Sequence, residues 1–355
     1  MARRPRRTSV PAPLEQRDGI DPVRIRLPGP GEARAGTVGA GAGASADGRT
    51  GTGRAGGDPP WSTVADHLLA RYGPSIGPER VEAMLAAGRF VTAAGPVDAR
   101  TPYEPGAWVW YHRDLAPERP VPFPVRIVYR DERIVVADKP HFLATTPRGR
   151  HVTETALARL RRDLALPLLS PAHRLDRLTA GVTLFVVRPE DRGAYQTLFR
   201  DRRVRKEYEA VAAYDPAVAL PRTVRSRIVK ERGRMAAEEV PGPPNAESRI
   251  ELTAHRDGLG RYRLLPATGR THQLRVHMNA LGLPLLNDPV YPEVLPEPAD
   301  DGLPGDPAAG SALFARPLQL LARALEFTDP ATGRELRFES SRRLACWPRE
   351  AAGEG

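Results

Sequence analysis

The most chemically suggestive stretch of the sequence is a turn in which one carboxylate stands between two guanidinium groups. Asp176 lies between Arg174 and Arg177, shortly before the apolar run 182–187. A turn at the end of a buried strand points its side chains into a cleft while the sheet holds them still. A nearby arginine keeps such a carboxylate ionised where water is partly excluded. Asp176 is therefore a candidate for catalysis, and a solvated surface Arg–Asp pair is the alternative.

A second polar segment begins a predicted helix near Thr271. Leu274 and Met278 fall at helical spacing, which predicts that they pack inward. Arg275 and His272 lie three residues apart on a neighbouring face. That face can present Arg275 to a buried carboxylate, and a solvent-exposed polar face is the alternative.

A third candidate is Tyr208, within a predicted strand. Ala210 and Ala212 lie on the same side of that strand and leave room above the ring. A tyrosine in this setting can stack on a nucleobase and offer its hydroxyl, although tyrosines of this kind more often belong to the core.

The sequence argues against a metal site and against a bound nucleotide. His272 and His277 are five residues apart rather than four, and no carboxylate stands at the matching position. The single cysteine, Cys346, excludes an internal disulfide and a thiolate cluster. The glycine-rich stretch 41–48 has no strand before it and no apolar helix after it. We therefore expect no metal and no cofactor.

The elements that must position these residues predict an α+β fold. Residues 127–129 and 134–136 flank a polar turn, and 247–254 and 261–266 flank a second one, so both pairs read as hairpins. Strands outnumber helices and the hairpins are antiparallel. This favours a mixed, mainly antiparallel sheet over a doubly wound one.

Three regions are predicted along the 355 residues. The first 60 residues include 12 Gly and 8 Pro, so we expect 1–58 to be a disordered tail that cannot bury enough apolar surface to fold. Residues 61–115 predict a small α/β module of two short helices and a β ribbon. Its layout resembles the αL-type RNA-binding module of several ribosomal proteins, and a capping subdomain is the alternative. Residues 122–345 form the main domain.

The net charge favours a polyanionic partner. Lys and Arg number 53 against 43 Asp and Glu, a net charge of +10, and nucleic acid is the commonest partner of such a chain. No stretch approaches 18 uncharged apolar residues, and the basic start has no apolar run after it, so we expect neither a membrane span nor a secretory signal. We expect a cytoplasmic monomer.

Three stretches resemble the motifs of RNA pseudouridine synthases of the RluA type, in that family's order and spacing. They are HRLDRLTAGVTLF at 173–185, RKEYEAV at 205–211 and ATGRTHQLRVHMNALGLPLLNDPVY at 267–291. Residues 133–140 and 318–327 extend the resemblance over about 122–345. It implies the pseudouridine synthase fold and isomerisation of uridine in ribosomal or transfer RNA, without a cofactor.

The resemblance also implies a role for individual residues. The implied roles are catalytic aspartate for Asp176, base flipping for Arg174, pocket tyrosine for Tyr208, partner of the catalytic aspartate for Arg275, and pocket wall for Leu320. Leu178 and Ala180 stand where the family often has an acidic residue and a serine, a difference that we expect to affect the substrate and not catalysis.

Two competing functions remain open. A non-catalytic RNA-binding protein on an inactive synthase scaffold is the first, although a binder has no need for Asp176, Tyr208 and Arg275 together. A metal- or nucleotide-dependent enzyme is the second, and it would reveal itself through inhibition by a chelator or dependence on added nucleotide.

Overall fold

The computed structural model describes residues 12–29, 32, 61–296 and 314–347. The chain divides into two compact units, with the boundary between Ala116 and Pro117. Within the described ranges, none of the helices has the length and apolar content needed to cross a membrane.

The first unit packs two helices against a small antiparallel sheet. Its elements are β1 Val23–Arg26, α1 Val64–Ile76, α2 Pro78–Ala86, β2 Val91–Thr92, β3 Gly95–Pro96 and β4 Trp108–Tyr111, with the sheet order β1-β4-β2-β3. Thr63 caps α1: its hydroxyl accepts a hydrogen bond from the Asp66 N–H, and the Asp66 carboxylate accepts one from the Thr63 N–H, each at 3.1 Å. Pro78 begins α2, at the position where a proline lacks no hydrogen bond that the helix needs.

The prediction that all of 1–58 is disordered is wrong for β1. This strand pairs with β4, and the side chains of Ile25 and Leu27 are buried in the core of the unit. The apolar residues of the segment VRIRL alternate with arginines, which is a strand pattern. It was outweighed by the Gly and Pro content around it. Residues 12–29 and 32 of the predicted tail are described, whereas 1–11, 30–31 and 33–58 lie outside the described residues.

The second unit is an α+β domain built on one sheet of 11 strands. The strands are β5 Arg126–Arg130, β6 Ile134–Lys139, β7 Ser170–Pro171, β8 Ala180–Val186, β9 Arg205–Ala213, β10 Arg222–Val229, β11 Glu238–Val240, β12 Ala246–Arg256, β13 Leu259–Pro266, β14 Leu320–Thr328 and β15 Glu335–Glu339. The helices are α3 Ala156–Asp163, α4 Arg192–Arg200 and α5 Gln273–Ala280.

The sheet is mixed and mainly antiparallel, which confirms the predicted fold class. Its order is β11-β10-β12-β13-β9-β14-β8-β6-β5, while β15 pairs with β14 and β7 with β8. Both predicted hairpins are present, as β5–β6 and β12–β13. Among the described strands, β8 and β14 are the one parallel pair.

A glycine makes the parallel pair possible. Gly181 has φ +118°, and a Cβ built on it would lie 2.2 Å from the carbonyl oxygen of Ala322. Only a residue without a side chain permits this approach of the two backbones. Because β8 follows the turn that carries Asp176, this contact fixes where that turn leaves the sheet.

Apolar side chains fill both faces of the central strands. Every residue of β8 is buried, as predicted for the run after Asp176. One face packs against Tyr195 and Leu198 of α4, and the other against Leu157 and Leu160 of α3. Helix α5 packs on a third cluster, where its inward residues are the predicted Leu274 and Met278.

Candidate active site

Asp176 lies on a loop, 172–179, that joins β7 to β8. His173 anchors the start of this loop, because its Nε2 accepts a hydrogen bond from the N–H of Leu184 on β8, at 3.1 Å. The ring stacks on Phe199 with 4.3 Å between the ring centroids. Burial lowers the pKa of His173 to about 3, so the ring stays neutral and keeps the lone pair that this hydrogen bond requires.

The segment after β6 holds the middle of the loop through its backbone. The hydroxyl of Thr145 donates to the carbonyl of Leu175 at 2.8 Å and accepts from the N–H of the same residue at 3.1 Å. Nδ1 of His141 donates to the carbonyl of Leu178 at 2.7 Å. Asp176 therefore lies between two residues whose backbone groups are fixed.

Lys139, the last residue of β6, lies beneath the same loop and is fully buried. Its Nζ donates to the carbonyl oxygens of Pro140, Leu143 and Arg177, at 3.0, 2.7 and 3.3 Å. These three bonds use all of its hydrogens. Burial lowers the pKa of Lys139 to about 7, and the negative charge of Asp176 opposes that shift. Sequence analysis missed its role; the one signal was a lysine that ends an apolar run and precedes a proline.

The side chain of Asp176 remains accessible. It is 36% exposed, and its Oδ2 lies 4.0 Å from Nε2 of His272. Its negative charge raises the pKa of both Tyr208 and Arg275, which places these side chains in the same neighbourhood. No hydrogen bond or ion pair joins Asp176 to Tyr208 or Arg275 among the described residues, so the charge of Asp176 is what links the three predicted residues.

Tyr208 and Leu320 belong to one apolar surface. Tyr208 is half-buried on β9, and packs on the cluster that contains Leu320, Ala210 and Ala212. Leu320 begins β14, lies opposite Ala210 and is 3% exposed. Burial raises the pKa of Tyr208, and the charge of Asp176 adds to that rise, so the phenol keeps its proton at neutral pH.

The partner predicted for Arg275 is wrong. Its guanidinium is 2% exposed and donates to both carboxylate oxygens of Asp288, at 2.7 and 2.5 Å, rather than pairing with Asp176. Asp288 is the better partner because its side chain is fully buried and already accepts from the N–H groups of Val290 and Tyr291. Burial lowers the pKa of Arg275, but the hydrogen bonds that it donates to Asp288 and the negative charge of Asp288 raise this pKa by more. The net shift is therefore upward. The signal available was an acidic residue in the same motif, NDPVY.

Arg174 is the exposed cation of the loop. The side chain of Arg174 has no hydrogen-bond or ion-pair partner among the described residues. Arg174 is two residues before Asp176. A guanidinium in this position is available to a phosphate or to a base stack.

Comparison with known proteins identifies the family. The profile of the RNA pseudouridylate synthase family matches residues 133–280. The dual-specificity RNA pseudouridine synthase RluA of Salmonella typhi is 32% identical over 226 residues, which cover 60% of this chain and 91% of that protein. The human pseudouridylate synthase RPUSD2 is 33% identical over 181 residues, 48% of this chain and 31% of the human protein.

Two further proteins are similar to this chain. The mitochondrial tRNA pseudouridine(32) synthase of Saccharomyces cerevisiae is 29% identical over 172 residues, 47% of this chain and 37% of that one. The solved structure of human RNA pseudouridylate synthase domain containing 4 aligns with a TM-score of 0.46 and 23% identity, over 62% of this chain and 89% of that one. The family profile and the Salmonella relative show that the chain belongs to the RNA pseudouridylate synthase family, as an RluA-type isomerase of uridine to pseudouridine in RNA.

Proposed function

We propose that this chain converts uridine to pseudouridine in ribosomal or transfer RNA, with Asp176 as the catalytic residue and no cofactor. One observation carries the proposal: the carboxylate of Asp176 is 36% exposed, on a loop whose backbone is fixed on both sides, with Tyr208 and Arg275 close enough to feel its charge. The net charge of +10 supports an RNA substrate. The name of the yeast relative supports transfer RNA, and that of the Salmonella relative supports more than one RNA target.

The reaction rearranges atoms within one nucleotide. The bond between the ribose and uracil N1 breaks, the base turns, and carbon 5 of the base joins the ribose while its proton is released to N1. Nothing is oxidised or reduced and nothing is added, so the reaction consumes no cofactor. Asp176 acts either as a nucleophile on the ribose or as a base toward it.

The target base must leave its stack before Asp176 can reach the ribose. Extrusion of a stacked base costs a few kcal/mol, which new contacts in the protein must offset. Tyr208 supplies a ring on which the uracil stacks, and Leu320 supplies an apolar wall beside it. Arg174 fills the space that the base leaves or holds a neighbouring phosphate.

Arg275 takes a different part from the one predicted. Its bidentate bond to Asp288 ties α5 to the turn 287–291. We therefore propose that Arg275 positions the residues around Asp176, and that it does not act as the ion-pair partner of that carboxylate.

The first unit is proposed to contribute RNA affinity. Its two helices and β ribbon have the layout of an αL-type module, and β1 adds a strand with Arg24 and Arg26. A capping role predicts that Arg24→Ala with Arg26→Ala leaves RNA affinity unchanged, whereas an RNA-binding role predicts weaker binding and a shallower dependence of the affinity on salt. The cytoplasmic location and the monomeric state stay predictions, which cell fractionation and light scattering would check.

The proposal is tested by incubating the purified full chain with ribosomal and transfer RNA transcribed in vitro, which contain uridine and no pseudouridine, and measuring pseudouridine by chemical labelling. Wild type is expected to form pseudouridine, and Asp176→Asn to form none while it binds RNA as wild type does. Asp257→Asn, at an exposed turn, is the matched control and should remain active. An Asp176→Asn variant that keeps full activity would show that another group is catalytic. A wild type that binds RNA without forming pseudouridine would favour the non-catalytic alternative.

A further inference from the structure

His272 lies immediately before α5, between Asp176 and Tyr291. Its Nε2 is 4.0 Å from Oδ2 of Asp176, and its Nδ1 is 3.0 Å from the hydroxyl of Tyr291. The side chain is 13% exposed. The reaction as described above gives this ring no role.

The hydroxyl of Tyr291 determines which ring nitrogen carries the hydrogen. It donates its one hydrogen to the carbonyl of Ala237 at 2.9 Å and accepts from the N–H of Ala237 at 2.8 Å. It has no further hydrogen to give, so its bond to His272 requires Nδ1–H as the donor. The neutral ring then carries its lone pair on Nε2, the nitrogen nearest Asp176.

The surroundings keep the ring neutral. Burial lowers the pKa of His272 to about 4, and the positive charges of Arg275 and Lys230 act in the same direction. The negative charges of Asp176 and Asp288 oppose the shift without overcoming it. At neutral pH the ring is therefore an acceptor of fixed orientation beside the catalytic carboxylate.

We propose that His272 is a positioning residue for Asp176, whose Nε2 lone pair holds the carboxyl group by accepting its O–H hydrogen bond whenever Asp176 carries a proton. The inference rests on the proposed function. In the base role of Asp176, a C–H bond of the ribose breaks and its electron pair stays on the sugar as the bond to uracil N1 breaks. An O–H bond forms on the carboxyl group, which loses its charge until the proton returns to the sugar when carbon 5 of the base joins the ribose. Rotation of the carboxyl group together with a shift of the Asp176 side chain then brings the oxygen from 4.0 Å to hydrogen-bond distance of Nε2, while the ring stays neutral.

The backbone at His272 allows a clean test. Its φ of +57° is in the left-handed region, which glycine adopts without strain. His272→Gly therefore removes the ring and leaves a space of its size. We expect kcat for pseudouridine formation to fall about 10²-fold, because a displaced catalytic group costs about this much. KM for RNA is expected to stay within about threefold of wild type, since the ring acts on the reacting group.

Small ring compounds added to the His272→Gly variant distinguish a ring that acts as a hydrogen-bond acceptor from one that only fills space. Imidazole has a ring nitrogen with a lone pair and is expected to restore a large share of the lost kcat. Pyrrole has the same size and an N–H group but no such lone pair, and is expected to restore none. Pyrrole that restores activity as well as imidazole would reduce His272 to a filler, and an unchanged kcat in His272→Gly would overturn the inference outright.

Two further variants keep the test decisive. Asp257→Gly makes the same backbone change at an exposed turn with φ +53° and should retain wild-type kcat. Should His272→Gly unfold, His272→Asn keeps the left-handed backbone but is too short to reach Asp176, and the same loss is expected. A folded His272→Asn with wild-type kcat contradicts the inference. A wild type that forms no pseudouridine overturns the proposed function as well, whereas an active wild type with unaffected variants overturns this inference alone.

Discussion

Two carboxylates near α5 are held in opposite ways. That of Asp288 is fully buried and accepts hydrogen bonds from Arg275 and from the N–H groups of Val290 and Tyr291. That of Asp176 is 36% exposed and, among the described residues, makes only the 4.0 Å approach to His272. A carboxylate whose lone pairs are occupied has none left for a substrate. The first carboxylate stabilises the fold, and the second is available for chemistry.

The loop of Asp176 keeps its backbone as fixed as the turn of Asp288. Thr145 bonds both backbone groups of Leu175, and Lys139 and His141 donate hydrogen bonds to the carbonyl groups of Arg177 and Leu178. The backbone around Asp176 is fixed while its side chain stays accessible. The carboxylate is therefore already oriented when the substrate binds, which favours catalysis.

Arg275→Met is expected to have the largest effect on stability. It leaves the buried carboxylate of Asp288 without a counter-ion, which costs about 3–5 kcal/mol of unfolding free energy. Thermal denaturation should show a melting temperature lower by about 10 °C. Adding Asp288→Leu should return much of the loss, because no buried charge then remains. A single variant as stable as wild type would show that the pair does not hold the turn.

Thr145→Val tests the clamp on the reactive loop with a smaller expected effect. The side chain keeps its shape, but the N–H and carbonyl of Leu175 lose their partner, at about 1–3 kcal/mol of unfolding free energy. The rate of pseudouridine formation should fall as the loop loosens. Thr253→Val is the matched control, since that hydroxyl bonds a carbonyl at an exposed site. Equal effects of the two variants on the rate would contradict the role of the clamp.

Mild acid, one pH unit below 6.5, is expected to weaken the anchor of the loop by about 1.4 kcal/mol of unfolding free energy. The pKa of His173 is about 3 in the folded protein against an ordinary value of 6.5, so the unfolded chain binds the proton more readily. Stability from this residue is complete above pH 6.5 and falls by about 1.4 kcal/mol per pH unit as the pH drops toward 3. The melting temperature of wild type should therefore fall more steeply between pH 6.5 and 5 than that of His173→Gln. Parallel curves would show that His173 does not contribute.

The features that sequence predicted correctly depend on local pattern. The two hairpins, the buried strand β8 and the inward face of α5 follow from alternation or helical spacing within a few residues. The grouping of Asp176, Tyr208 and Arg275 followed from three motifs in order. These motifs indicated which residues meet, although they left open what each would touch.

The features that the sequence did not predict depend on which groups come into contact in the folded chain. Whether Arg275 binds Asp176 or Asp288 is decided by the path of the turn after α5, and nothing in the helix itself encodes it. Lys139 and Thr145 form hydrogen bonds with backbone carbonyl groups and with one N–H group. Nearly all residues have both groups, so the sequence does not show which of them will be bonded. The four-residue strand β1 is stabilised by burial of Ile25 and Leu27 against the rest of its unit, and short alternation alone is a weak signal.

Our central proposal is that Asp176 is the catalytic carboxylate and that Asp288 is a structural one. Measuring the rate of pseudouridine formation and the melting temperature of Asp176→Asn and Asp288→Asn side by side tests it most directly. We expect Asp176→Asn to lose about 10³-fold or more of the rate and to melt at the wild-type temperature. We expect Asp288→Asn to melt several degrees lower. A folded Asp176→Asn that forms pseudouridine at the wild-type rate would contradict it.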